Sequence, residues 1–201
     1  MTTPKIPMSQ KTIETLILAF LAAFMIATRF HHFGDALHLP DASLAIFLAA
    51  GFYLRRWRLF IPLIALAGMI DYLAINIGGV SAWCITAAYV FLVPTYAAMW
   101  HGGDWFKRHT QMQGRVSGSR LLVLAFVVFV ATSTAFLISN YSFYAFSGRF
   151  ADMTLAQYTA SVTKYYLPYM TTTFVYVAVA ALVHGAIKTL ARNQTENAHT
   201  A

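Results

Sequence analysis

Between Arg120 and Arg149 the sequence runs through residues 121–148 without one charged side chain, in a stretch rich in Leu, Val, Phe and Ala. About 20 apolar residues cross a bilayer's hydrocarbon core as a single helix, so this run sets the class of the molecule. The rest of the chain agrees. Of 201 residues, 59% are hydrophobic and 10% charged, whereas a soluble domain carries about 25% charged residues. So few charges cannot build a water-facing shell, and the chain reads as an all-α membrane protein forming one integral domain, 1–201. The formal charge of +7, from 14 Lys+Arg against 7 Asp+Glu, lies in short segments between apolar runs. There it sets topology rather than forming a nucleic-acid patch. A single cysteine excludes an intrachain disulfide and any multi-cysteine zinc or iron–sulfur centre.

The apolar runs predict six crossings, at 12–30, 42–54, 59–76, 84–101, 121–140 and 167–188. Glu14 and Arg29 lie close enough to the ends of the first to snorkel. Pro168 falls in the first turn of the last, where its missing N–H costs little, and Pro94 predicts a kink in the fourth. The second and third are short, with apolar parts at 42–54 and 59–70. A re-entrant hairpin there would bury Arg55, Arg56 and Arg58 at its tip, which insertion scales disfavour, so two short crossings are preferred. With the N-terminus inside, the inner face holds Lys5, Lys11, Arg55, Arg56, Arg58, Lys107, Arg108, Arg115, Arg120, Lys188 and Arg192. The outer face keeps only Arg29, Arg149 and Lys164, an eleven-to-three split of the basic residues. That asymmetry places both termini in the cytoplasm. Residues 12–30 read as a retained span rather than a secretory signal, since no A-x-A site precedes Arg29.

The outer connections, 30–41, 71–83 and 141–166, carry the functional signals. The first holds His31, His32, Asp35, His38 and Asp41. The third is long for a connector. Within it Thr154 and Gln157 have capping-box spacing, and Leu155, Tyr158, Val162 and Tyr165 follow at helical intervals, which predicts a short surface helix. Six of the eleven tyrosines fall between Tyr141 and Tyr169. They are either the aromatic belt of a membrane interface or the walls of a pocket for a large amphiphilic ligand. The short or basic inner loops offer no comparable site.

Cys84 is expected to open the fourth helix on the outer side. A lone cysteine in a spanning helix is ordinarily a small hydrophobe. Against that stand its first-turn position, where the helix dipole favours a thiolate, and the nearby outer histidines and carboxylates, including Asp71 at the end of the third helix. A thiolate suits late transition metals, bare or held in a macrocycle. Ala19, Ala23 and Ala27 form a small-residue ladder on the first helix, for packing within the bundle or for docking a partner. His184 has no intramembrane histidine mate, so a bis-histidine haem has no support and the residue reads as a hydrogen-bonded packing group.

Six helices, an outer ligand face, the alanine ladder and no ATPase motif resemble the membrane-embedded substrate-binding (S) components of energy-coupling factor transporters. More narrowly, the chain resembles the BtuM-type cobalamin transporters of Gram-negative bacteria. The carrying residues are His31-His32-Phe33-Gly34-Asp35, Asp71-Tyr72, and Gly78-Gly79-Val80-Ser81-Ala82-Trp83-Cys84 with Tyr89, and the resemblance spans 12–188. It implies an inner-membrane protein with a corrinoid site open to the periplasm. Cys84 would bind the cobalt of cobalamin from the lower axial face, displacing the nucleotide base, with His32, Asp71 and Tyr89 lining the site. It also implies decyanation of cyanocobalamin at Cys84, transport by rotation of the whole bundle, and either an energising module docked on Ala19, Ala23 and Ala27 or none.

Two other classes compete. A transporter or sensor of transition-metal ions would use His31, His32, Asp35, His38 and Asp41. The Met-x-His start expected of cobalt or nickel S components is replaced by Met1-Thr2-Thr3. An intramembrane serine protease or a thiol oxidase would need a Gly-x-Ser-Gly motif or paired cysteines, and the sequence has neither.

Overall fold

The computed structural model describes residues 9–30, 39–54, 56–110 and 118–200, without the side chains of 192 and 194–200. Among the described residues there are seven α-helices and no strand. They are α1 (Gln10–Arg29), α2 (Ser43–Leu54), α3 (Phe60–Asn76), α4 (Leu92–Thr110), α5 (Gly118–Phe146), α6 (Leu155–Val162) and α7 (Tyr166–Thr200). Short 3-10 turns at Trp57–Leu59, Ala82–Cys84, Ala87–Phe91 and Thr163–Tyr165 connect them. Four stretches, Gln10–Arg29, Trp57–Asn76, Gly118–Phe146 and Leu155–Ala191, are long and apolar enough to cross a membrane. The expected all-helical membrane class is thus present.

The helix α2 is apolar but only 12 residues long, about 18 Å at 1.5 Å per residue. It is buried on nearly every side, as a helix without a polar face must be, and it packs against α1 and α4. Two glycines let α2 and α4 meet backbone to backbone. A Cβ on Gly51 would strike the carbonyl oxygen of Trp100, and one on Gly103 would strike that of Leu48. Without a hydrophobic drive between helices in lipid, such close approach is a principal source of association. On this pair sit Phe47, stacked on Tyr96 at 4.3 Å between ring centroids, and Phe60 of α3, edge-on to Trp100 at 5.7 Å. The helix α5 packs on α4, and α7 on α5 and α2.

Two expectations are corrected. The helix α3 ends at Asn76, as the crossing at 59–76 predicts, but Asp71, expected at its end, lies inside it, and Gly79, at φ +68°, turns the chain. The helix expected at 84–101 is Leu92–Thr110 instead. Ser81 Oγ accepts the Trp83 N–H at 3.2 Å and Thr86 Oγ1 accepts that of Ala88 at 3.2 Å. Each hydroxyl starts a new turn in competition with a continuing helix. Pro94 then selects the start of α4, because a helix through residue 84 would bury the proline in its interior. From Leu92 it lies in the first turn, so its missing N–H is one the helix leaves unbonded.

Other local readings hold. Thr154 and Gln157 form a reciprocal capping box at α6, and Pro168 sits in the first turn of α7. Glu14 of α1 pairs with Arg56 at 3.4 Å, at the opposite end of the bundle from Arg29.

Candidate functional site

A dense polar cluster is built around the last residue of α1. Arg29 is 9% exposed. Its Nε donates to Asp71 Oδ1 at 2.8 Å and its Nη2 to Asp71 Oδ2 at 2.6 Å, a bidentate pair with α3. Its Nη1 is shared among Asp41 Oδ2 at 3.2 Å, Ser43 Oγ at 3.0 Å and Tyr96 OH at 2.6 Å. Asp41 also accepts the Ser43 N–H at 2.9 Å, so its carboxylate caps α2 where the dipole favours negative charge. One guanidinium therefore ties α1, α2, α3 and α4 together at one end. A planar five-donor fork can do this, and an ammonium cannot.

Tyr89 completes the cluster, its phenol donating to Asp71 Oδ2 at 2.7 Å. Burial, and then the bond to that carboxylate, push the Tyr89 phenol well above its ordinary pKa, so it remains a donor at neutral pH. Asp71, 22% exposed, accepts three hydrogen bonds and can take a fourth from an incoming N–H.

The expected site residues are thus distributed as follows. Asp71 and Tyr89 are brought together. His32, with His31, Asp35 and His38, lies outside the described residues. Cys84 is exposed and free, the last residue of the Ala82–Cys84 turn. It does not open a long helix, so no first-turn dipole acts on its thiol. The chain is anchored before it at Trp83 and after it from Tyr89 on. The guanidinium of Arg149 lies 3.8 Å over the Trp83 ring, Tyr89 is bonded to Asp71, and Phe91 stacks on Phe146 at 5.0 Å. Residues 82–91 are thereby held against α3 and the end of α5, and Cys84 is exposed on them.

The tyrosines of the third outer connection divide. Tyr144 donates to the Met153 carbonyl at 2.9 Å and packs on Tyr158, which is buried and meets Phe150 at 4.7 Å. These hold the connection's own fold. Tyr141 and Tyr165 are exposed. Ala19 and Ala23 are also exposed and Ala27 half-buried, so the ladder faces away from the bundle instead of packing within it. His184 is the hydrogen-bonded group expected, its Nδ1 2.8 Å from Tyr53 OH.

Sequence reading missed the centre of the cluster. Arg29 read as a snorkelling end and Asp41 as a metal ligand, and Ser43 and Tyr96 carried no signal. One available sign was that Arg29, Asp41 and Asp71 are the charges flanking three apolar runs on the same face, one cation between two carboxylates. Neither a protein-family model nor a curated protein matches the chain.

Proposed function

We propose that this protein takes up cobalamin across the bacterial inner membrane through a corrinoid site on its periplasmic face. In this reading α2 and α4 join the four long apolar stretches to make a six-helix bundle of the S-component type. The eleven-to-three distribution of Lys and Arg puts both termini in the cytoplasm, and the Arg29 end of the bundle faces the periplasm.

The observation that carries the reading is free, exposed Cys84, on a turn held through Trp83 and followed by a second turn held through Tyr89. A preorganised soft donor is suited to the lower face of cobalt. The corrin ring is broad and apolar with amides at its rim. Exposed Trp83 and Tyr72 offer apolar surface, and the remaining lone pair of Asp71 is an acceptor for a rim amide. Thiolate donation from below would favour heterolysis of the cobalt–carbon bond above the metal, the electron pair leaving with cyanide ion, and this is the decyanation proposed at Cys84. The outward ladder of Ala19, Ala23 and Ala27 is a surface on which an energising module would dock.

The test is the visible spectrum of protein purified from cells supplied with cobalamin. A bound corrinoid with absorption shifted from the free vitamin is expected, and Cys84→Ala should abolish the shift even where weak binding persists. Colourless protein carrying stoichiometric zinc would refute the reading in favour of metal-ion transport. Unchanged corrinoid affinity in Asp71→Asn and His32→Ala would remove those side chains from the site.

A further inference from the structure

Along α2, from Ala45 and Tyr176 near the Arg29 end to Tyr53 and Lys188 away from it, α2, α4, α5 and α7 leave a cleft of about 100 Å³. Its depth is lined by Leu48, Leu124, Val177 and Ala181. Its charged groups lie towards the end away from Arg29. Tyr53 and His184 meet there through the 2.8 Å hydrogen bond, and His184 Nε2 is buried with no hydrogen-bond partner among the described residues. One helical turn beyond His184 comes Lys188, and across from it Arg120 stands in the first turn of α5. Lys107 of α4 lies close by, 5.4 Å over the Phe52 ring.

We propose that this cleft holds one anionic phospholipid. An acyl segment occupies the apolar depth, which would otherwise be a dry void. His184 Nε2 bonds a glycerol ester, and the phosphate sits between Lys188 and Arg120. The spacing suits such a molecule, since residues four apart on one helix face are about 6 Å apart, roughly the separation of ester and phosphate in a lipid. The charge suits it as well. Arg120 stands in the first turn of α5, where the helix dipole favours a phosphate. The carboxylate of Asp104 on neighbouring α4 is paired with Arg108 at 2.7 Å. A bare anion would leave the apolar depth unfilled, and a zwitterionic lipid would bring an ammonium towards two cations.

Native mass spectrometry of the full chain in detergent tests this, using phosphatidylglycerol and phosphatidylcholine of identical acyl chains. One phosphatidylglycerol should be retained in preference to phosphatidylcholine. Lys188→Gln should weaken phosphatidylglycerol about fivefold, the worth of one basic side chain at a lipid surface, and leave phosphatidylcholine unchanged. Ala181→Phe, which fills the depth, should weaken phosphatidylglycerol further, and Lys164→Gln at the other end should have no effect. Equal retention of the two lipids, no effect of Lys188→Gln, an equal effect of Lys164→Gln, or displacement of the lipid by millimolar inorganic phosphate would each overturn the proposal. None of these readings depends on a corrinoid.

Discussion

Replacing Arg29 by Met keeps most of the side chain's volume and removes the cation from five hydrogen bonds. Asp71, only 22% exposed, is left with a negative charge and the Tyr89 phenol as its one remaining donor. Breaking a buried pair from one side costs about 3–5 kcal/mol, mostly through the stranded partner. Asp71→Asn keeps an acceptor for Tyr89 and loses charge-assisted bonds worth about 1.5–3 kcal/mol. If the two effects were independent, the double variant would cost about 5–8 kcal/mol by summing the same ranges. They share one interaction, however, and the neutral Asn no longer strands a charge. Arg29→Met with Asp71→Asn should therefore cost no more than Arg29→Met alone. Asp41→Asn is screened, its carboxylate being 43% exposed, and should cost less than about 1 kcal/mol. Thermal unfolding of the four variants in one detergent measures this, with a loss of 3 kcal/mol lowering Tm by about 6–12 °C for a chain of this size. Strict additivity in the double variant, or an Asp41→Asn cost equal to that of Arg29→Met, would refute the placement of Arg29 at the centre of the cluster.

Three further outcomes are expected. Gly103→Ala should destabilise by about 1–3 kcal/mol or more in the same melts, because its Cβ would also lie 2.9 Å from Phe52 N, where only backbone could move; Gly118→Ala, with open space around it, should be near neutral. Thr154→Ala should cost about 1 kcal/mol and raise amide hydrogen exchange within Leu155–Val162, leaving α5 protected. Tyr89 has a folded-state pKa raised by burial and by Asp71, so its contribution is complete below the ordinary phenol value of about 10 and declines as pH rises through the folded one. Alkaline melts should accordingly show a smaller loss of Tm above that pH in Tyr89→Phe than in the parent chain.

What the sequence disclosed and what it concealed follow from the range of the forces involved. Charge-free runs, the Pro168 start of α7 and the Thr154–Gln157 box depend on a few consecutive residues, and all are found in the fold. The start of α4 was equally local, since Ser81, Thr86 and Pro94 decide it together, but hydropathy alone carried the helix back to residue 84. The Arg29 cluster is different in kind. Its members come from residues 29, 41, 43, 71, 89 and 96, and no window of sequence contains them. Only the crossing of α2 against α4, set by Gly51 and Gly103, brings Tyr96 and Ser43 to the same guanidinium. Cys84 drew attention by its rarity, while its exposure depends on the anchoring of Trp83 and Tyr89 by distant partners.

Among the described residues, ion pairs fasten α1 to its neighbours at two levels, Arg29 with Asp41 and Asp71 at one and Glu14 with Arg56 at the other. The fifteen helical rises from Glu14 to Arg29 span about 22 Å, against about 30 Å for the hydrocarbon layer of a typical bilayer. A bilayer whose polar surfaces met both levels without snorkelling side chains would have to be thinner than typical along this flank. Each ångström of mismatch costs a fraction of a kcal/mol, so thin-chain lipids should suit the molecule best, with the leaflets drawn inward beside α1.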